Sequence, residues 1–152
     1  MLLGSRRAAR AGAGSSATLA IMTLRLGFFT DFKSSESVLL TGTSHDIESL
    51  SLVMGKFVES DEGQFPIHNL ASIAPRHQAQ LFAQRAAPEP QQPTPIRFSW
   101  LCTPSSLSDI QAKLLALVRS SNGHQYFDLE GSDIHLIVSV GEYSDSWWQN
   151  HG

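Results

Sequence analysis

The chain has 152 residues, of which 41% are hydrophobic and 16% are charged, a composition typical of one globular domain that buries its own core. No apolar run approaches the roughly 20 residues that a membrane-spanning helix needs, so a membrane protein is not expected. The 11 basic and 14 acidic residues give a net charge of −3, which argues against nucleic-acid binding, since that needs a basic face. The single cysteine, Cys102, excludes an internal disulfide and favours a reducing cytoplasm.

The first 21 residues differ in composition from the rest of the chain. They hold Arg6, Arg7 and Arg10 and no acidic residue. This composition is typical of a mitochondrial transit peptide, and a start codon assigned too far upstream also produces it. We interpret 1–21 as a disordered extension, either a misassigned start or a targeting segment, and 22–152 as a single domain. That domain carries 8 basic and 14 acidic residues, a net charge of −6.

Short strands and helices alternate through the first half of this domain. Apolar, β-prone segments at 24–30 and 37–41 predict a hairpin. A helix is expected next, because Thr43 and Asp46 have the spacing of a capping box and apolar residues follow at helical spacing as far as Val58. Residues 65–70 predict a short edge strand, and 76–87 predict a second helix. The proline-rich segment 88–95 predicts a loop.

The second half repeats this alternation. Residues 97–102 alternate as in a strand, and Thr103 followed by Pro104 predicts the start of an amphipathic helix. Residues 125–129 and 134–140 are expected to pair as a hairpin, with Leu136, Val138 and Val140 on one face. The whole pattern predicts an α+β fold: a mixed, largely antiparallel sheet with two to three helices packed on one face.

No catalytic, metal or cofactor motif stands out. The six histidines lack the spacing of a metal site, and one cysteine cannot build a cysteine-rich zinc site. Ser44, His45 and Asp46 are consecutive, and neighbours on a helix point in different directions, so they cannot form a proton relay. Cys102 is expected to be buried and unreactive because its neighbours are apolar. We therefore expect neither catalysis nor a cofactor or metal.

The C-terminal segment carries the strongest functional signal. Residues 120–152 contain no lysine or arginine but five acidic residues, and the last ten include three large aromatic ones. Acidic groups steer a basic protein partner, and aromatic rings anchor it. If the last residues are extended, Trp147 and Trp148 point to opposite sides, so that one packs on the domain and the other faces a partner. The residues predicted to form one partner-binding surface are Asp128, Glu130, Asp133, Glu142, Tyr143, Asp145, Trp147 and Trp148.

The strand at 133–141, the tail at 142–148 and the small, acidic α+β layout resemble immunity proteins of bacterial contact-dependent growth inhibition systems. The resemblance implies a cytoplasmic antitoxin that binds one cognate toxin domain, commonly a basic nuclease, and blocks its active site. Two alternatives remain open. One is a small hydrolase or transferase with His45, His124 or His135 as a base. The other is an organellar assembly subunit, in which case 1–21 is a transit peptide.

Overall fold

Strands and helices alternate along the computed structural model, which describes residues 22–32, 35–86 and 96–152. The α+β prediction is confirmed. The predictions for 1–21 and for the loop at 88–95 lie outside the described residues. Within the described ranges, no helix is long and apolar enough to cross a membrane. The elements are β1 Leu24–Phe32, β2 Ser35–Gly42, α1 Ser44–Glu59, β3 Gln64–Pro66, a 3₁₀ turn Ile67–Leu70, β4 Ala71–Ile73, β5 Gln80–Gln84, β6 Arg97–Leu101, α2 Pro104–Ser120, β7 Gly123–Asp128, β8 His135–Val140 and α3 Asp145–His151.

The strands form two mixed sheets. The larger has the order β4-β1-β2-β8-β7, and the smaller has the order β3-β5-β6. Both predicted hairpins, β1–β2 and β7–β8, are antiparallel. They meet through a parallel pairing of β2 with β8, and parallel pairs also join β1 to β4 and β5 to β6. Antiparallel and parallel pairs are therefore equally frequent among the described strands, whereas the sequence predicted one largely antiparallel sheet. Long-range pairings of this kind leave no local sequence signal.

The two long helices pack on one face of the five-stranded sheet, here called the inner face. Val38 and Leu40 of β2 and Leu136 and Val138 of β8 point towards them, and the smaller sheet closes the same core. Both helices begin with a capping box. The Thr43 hydroxyl accepts a hydrogen bond from the Asp46 amide at 3.1 Å, as predicted. The Thr103 hydroxyl accepts one from Ser106 in the same way.

The third helix lies on the opposite, outer face of the sheet. Successive residues of a strand point to opposite faces, and here Leu39 and Ile137 pack against Trp148 of α3 in a second core with Phe29 and Phe32. The interpretation of the tail as extended is therefore wrong. Ser144 caps a short helix by accepting a hydrogen bond from the Trp147 amide at 3.2 Å. The prediction of two to three helices on one face is met by α1 and α2, while α3 covers the other face.

The helix predicted at 76–87 is also wrong, because this segment contains β5. Leu81 and Ala83 are fully buried, and the strand pairs with β3 on one side and β6 on the other. Apolar and small residues in so short a segment fit a helix and a strand equally well by periodicity. Pairing with distant strands decided the conformation.

Candidate functional site

The eight predicted partner-binding residues lie at two ends of one strand, β8. Asp128 ends β7, and Glu130 and Asp133 lie in the turn that leads into β8. The other five residues follow the carboxyl end of β8. The strand has six residues, which separates its ends by about 17 Å at the usual rise per residue. The residues therefore form two surfaces rather than one.

The aromatic residues of the tail mostly serve the outer core. Trp148 is 7% exposed and packs edge-on against Phe29. Trp147 is half-buried, with ring centroids 4.7 Å from both Tyr143 and His151. Of the two tryptophans, Trp147 is thus the more accessible, but its ring already stacks on His151 and meets Tyr143 edge-on.

Glu142 is held by two side chains of the β7–β8 hairpin. His124 Nδ1 lies 2.9 Å from Glu142 Oε1, and the Ser139 hydroxyl donates a hydrogen bond to the same oxygen at 2.6 Å. A nucleophilic triad needs the histidine between the hydroxyl and the carboxylate. Here the carboxylate lies in the middle and Ser139 is fully buried. This arrangement orients Glu142 and does not activate Ser139.

A groove of about 290 Å³ lies beside the β7–β8 turn, between α2 and the smaller sheet. We call it the hairpin-turn groove. Trp100 and Phe127 line it, with ring centroids 4.9 Å apart. Three acidic residues, Asp109, Asp128 and Glu130, also line it. The groove therefore combines an apolar aromatic wall with several carboxylates, as a site for a basic side chain requires.

One basic side chain of the protein already lies in this groove. Lys113 Nζ lies 5.2 Å from the centre of the Phe127 ring and 3.9 Å from Asp109 Oδ2. It also donates a hydrogen bond to the Tyr126 carbonyl at 3.4 Å. The side chain of Asp109 is 75% exposed, and that of Asp128 is 96% exposed, with His135 Nδ1 at 3.5 Å. Lys113 thus leaves most of the carboxylate surface open to solvent.

Most arginines of the domain have intramolecular contacts, whereas several of its described acidic side chains have none. Four arginines bind the protein's own groups, whereas the carboxylates of Glu130 and Asp133 are exposed and have no partner within the described ranges. These contacts engage four of the five described arginines, while Arg119 makes none, so the acids of the turn are more available to a partner than most of the arginines. The pairs are Arg25 with Asp145, Arg76 with the carbonyls of Asn150 and Gly152, Arg85 with the carbonyls of Phe57, Val58 and Ser60, and Arg97 with the Phe82 ring.

A larger depression of about 520 Å³ lies at the other end of β8. We call it the strand-end cleft. It brings together three predicted partner-binding residues, Tyr143, Asp145 and Trp148, with residues that were not among those predicted. Arg25 Nη2 donates to Asp145 Oδ1 at 2.7 Å across this cleft. Most of the remaining lining residues carry hydroxyl groups: Thr23, Thr41, Thr43, Ser44 and Ser121. The others are Gly42, Val140 and Gly141.

Neither depression has a histidine in its lining. Cys102 is buried as predicted, and burial raises the pKa of its thiol to about 11, although the positive charge of Arg85 opposes the shift. Among residues 22–32, 35–86 and 96–152, no three histidine, cysteine or acidic side chains are grouped closely enough to hold a metal ion.

Comparison of the chain with protein-family models, with curated proteins and with solved structures found no match.

Proposed function

We propose that this protein is an inhibitor of the immunity type, which binds a basic toxin domain in the cytoplasm, most simply a nuclease, and blocks its active site. The observation that carries the proposal is the hairpin-turn groove. Its acidic residues surround an aromatic wall, and Lys113 lies over the Phe127 ring in the manner expected of a partner's lysine or arginine.

The charge of the domain supports the same partner. Residues 22–152 carry a net charge of −6, and four of the five described arginines bind intramolecular groups. A nuclease holds its substrate in a basic groove, so carboxylates of an inhibitor can occupy the positions of phosphates. Attraction between the two surfaces speeds their encounter.

The acidic residues at the two ends of β8 differ in how readily they can contact a partner. Glu142 is held by His124 and Ser139, and Asp145 by Arg25. Binding a partner through Glu142 would require breaking its contacts, and the charge of Asp145 is already compensated by Arg25. Glu130 and Asp133 have no such contacts to break, so we assign the primary interface to the turn and the groove.

The test is capture of the toxin by the full chain and its loss on charge reversal at the turn. Wild-type protein and the double variant Glu130→Lys/Asp133→Lys serve as bait at low salt. The matched control is Asp61→Lys/Glu62→Lys, which reverses two exposed acids in another turn and changes the net charge equally. The wild type and the control should retain a basic protein that stops growth when expressed alone, and the turn variant should lose it.

Co-expression gives the functional readout. Growth should be restored by the wild type and by the control variant, but not by the turn variant. Equal loss of binding in both variants would show that only overall charge matters and would contradict an interface at the turn. A captured protein that is neither basic nor toxic would contradict the inhibitor function itself.

A further inference from the structure

The strand-end cleft lies where the chain leaves two adjacent parallel strands in opposite directions. After β2 the chain turns to α1 on the inner face, and after β8 it turns to α3 on the outer face. In open sheets with parallel strands, such a divergence leaves a crevice at the carboxyl ends of the strands, and ligands bind there. Gly42 and Gly141, which end or follow these strands, both line the cleft.

The size of the cleft fits a small molecule. Its volume of about 520 Å³ is within the range of ligand pockets. Tyr143 and Trp148 give it an aromatic wall, and hydroxyl groups from Thr41, Thr43 and Ser44 lie among the remaining lining residues. A ligand with one polar end and one planar or apolar end matches such a lining.

Arg25 determines the charge of the polar end. Its guanidinium is the cationic group of the lining, and it can offer two parallel hydrogen bonds to a carboxylate or phosphate. Among the first amides of α1, that of Asp46 is used by the capping box, and Arg25 carries the one full positive charge among the described lining residues of the cleft. Recognition of an anion here therefore depends on the Arg25 side chain.

Asp145 marks the place that the anion would take. Its carboxylate lies on Arg25 at 2.7 Å, while its side chain is 83% exposed. An exposed pair of this kind adds little stability, so a ligand anion can displace Asp145 at small cost. The contact also demonstrates that a carboxylate fits against this guanidinium.

Trp148 adds an unsatisfied donor. Its indole Nε1 is buried and has no hydrogen-bond acceptor in the described part of the protein, although the residue is 7% exposed and lines the cleft. A buried donor without an acceptor is unfavourable. A ligand with an acceptor atom next to this indole would remove that cost.

We propose that the strand-end cleft binds a small molecule with an anionic head, carboxylate or phosphate, which replaces Asp145 on Arg25 and rests its body against Tyr143 and Trp148. This site is separate from the hairpin-turn groove and gives the protein a ligand-binding function in addition to inhibition. The proposal does not depend on the identity of the toxin.

Four anions test the proposal on the full chain: acetate, benzoate, inorganic phosphate and phenyl phosphate. Benzylamine, which has the ring and the opposite charge, is the negative control. Binding is followed by the backbone and indole N–H signals in ¹H–¹⁵N NMR spectra, with the Trp148 indole assigned from Trp148→Phe. We expect benzoate or phenyl phosphate to bind with a Kd of about 1 mM or below and to shift that indole signal, and the better of the two identifies the head group.

Two variants separate ligand binding from a structural role of the ion pair. Arg25→Gln should weaken binding by about tenfold or more, because a charge-assisted contact is lost. Asp145→Asn should tighten binding several-fold, because it removes the internal competitor. Asp128→Asn changes the net charge equally at the distant end of β8 and should leave affinity unchanged. A merely structural pair would make Arg25→Gln and Asp145→Asn behave alike.

The results of these titrations either support the proposal or overturn it. Anion binding that is lost in Arg25→Gln and strengthened in Asp145→Asn supports the proposal. It is overturned if none of the four anions shifts signals from cleft residues at millimolar concentration, if benzylamine binds as well as benzoate, or if Arg25→Gln binds with unchanged affinity.

Discussion

Asp46 joins the start of the domain to the start of α1, and neutralising it should destabilise the protein in a pH-dependent way. Its side chain is buried, with 2% exposed. The carboxylate accepts hydrogen bonds from the Thr23 amide at 3.1 Å, the Thr23 hydroxyl at 2.6 Å and the Thr43 amide at 2.9 Å. Burial alone would raise the pKa of Asp46, but these hydrogen bonds outweigh it and hold the pKa below its ordinary value.

The magnitude follows from the three contacts. Hydrogen bonds to a charged acceptor contribute roughly 1 kcal/mol more to stability than neutral ones. In Asp46→Asn the side-chain nitrogen would face a hydrogen-bond donor, and that donor would lose its acceptor. Asp46→Asn should therefore lower the free energy of unfolding by about 3 kcal/mol at pH 7. Ser106 occupies the equivalent position of the second capping box and does not ionise. Ser106→Ala should cost about 1 kcal/mol at every pH.

The pH dependence gives the decisive assay. A carboxyl whose pKa is lowered by folding stabilises the protein above its unfolded pKa, and this contribution disappears as pH falls through the folded pKa. Urea unfolding of the wild type, Asp46→Asn and Ser106→Ala should be followed by circular dichroism from pH 7 to about pH 3. The gap between wild type and Asp46→Asn should shrink below about pH 4, while the Ser106→Ala gap stays constant. A gap for Asp46→Asn that is equally large at pH 3 would refute the reasoning.

Three further predictions concern the thiol, a turn glycine and the outer core. Cys102, with its raised pKa, should react with a thiol reagent at pH 8 more than about a hundredfold slower in the folded than in the urea-unfolded protein. Gly141→Ala should destabilise more than Gly131→Ala in urea unfolding, because both have positive φ but only the former brings a Cβ to 2.8 Å from a backbone oxygen. Trp148→Ala should lower the free energy of unfolding by about 3–5 kcal/mol, and Trp147→Ala, half-buried, by clearly less.

Each of these has a contrary outcome. Rapid modification of the folded protein would place Cys102 at an accessible, activated position. An equal decrease in the free energy of unfolding for the two glycine variants would mean that the backbone at the end of β8 relaxes around an added methyl group. A larger loss of unfolding free energy for Trp147→Ala than for Trp148→Ala would contradict the packing of α3 described above.

The sequence predicted the elements whose signals are local. These signals depend on neighbouring residues, and the structure has each element where it was expected. They are the capping box at Thr43, the helix start at Thr103, the two hairpins and the alternation along β8. The strand β5 was predicted as a helix, since its conformation depends on β3 and β6. The helix α3 did have a local signal, a serine followed by an acid at Ser144 and Asp145, which is typical of a helix start.

The candidate sites depended on information that the sequence does not contain. Arg25 and Asp145 form an ion pair although they lie far apart in the chain, and their meeting depends on β8 pairing with β2. The acids of the turn and of the tail were predicted to share one surface because they are close in sequence. A strand between them separates the two groups, since an extended strand carries the chain far in few residues.

The position of β8 inside the five-stranded sheet has a consequence for synthesis of the protein. It enters the sheet between β2 and β7, and the paired residues of β2 and β8 lie about 100 residues apart in the chain. While the nascent chain emerges, the β1–β2 hairpin is complete but one edge of β2 stays open, with Val38, Leu39 and Leu40 unprotected. An open apolar edge is a template for mispairing, so the polypeptide is most exposed to aggregation until its last strand leaves the ribosome.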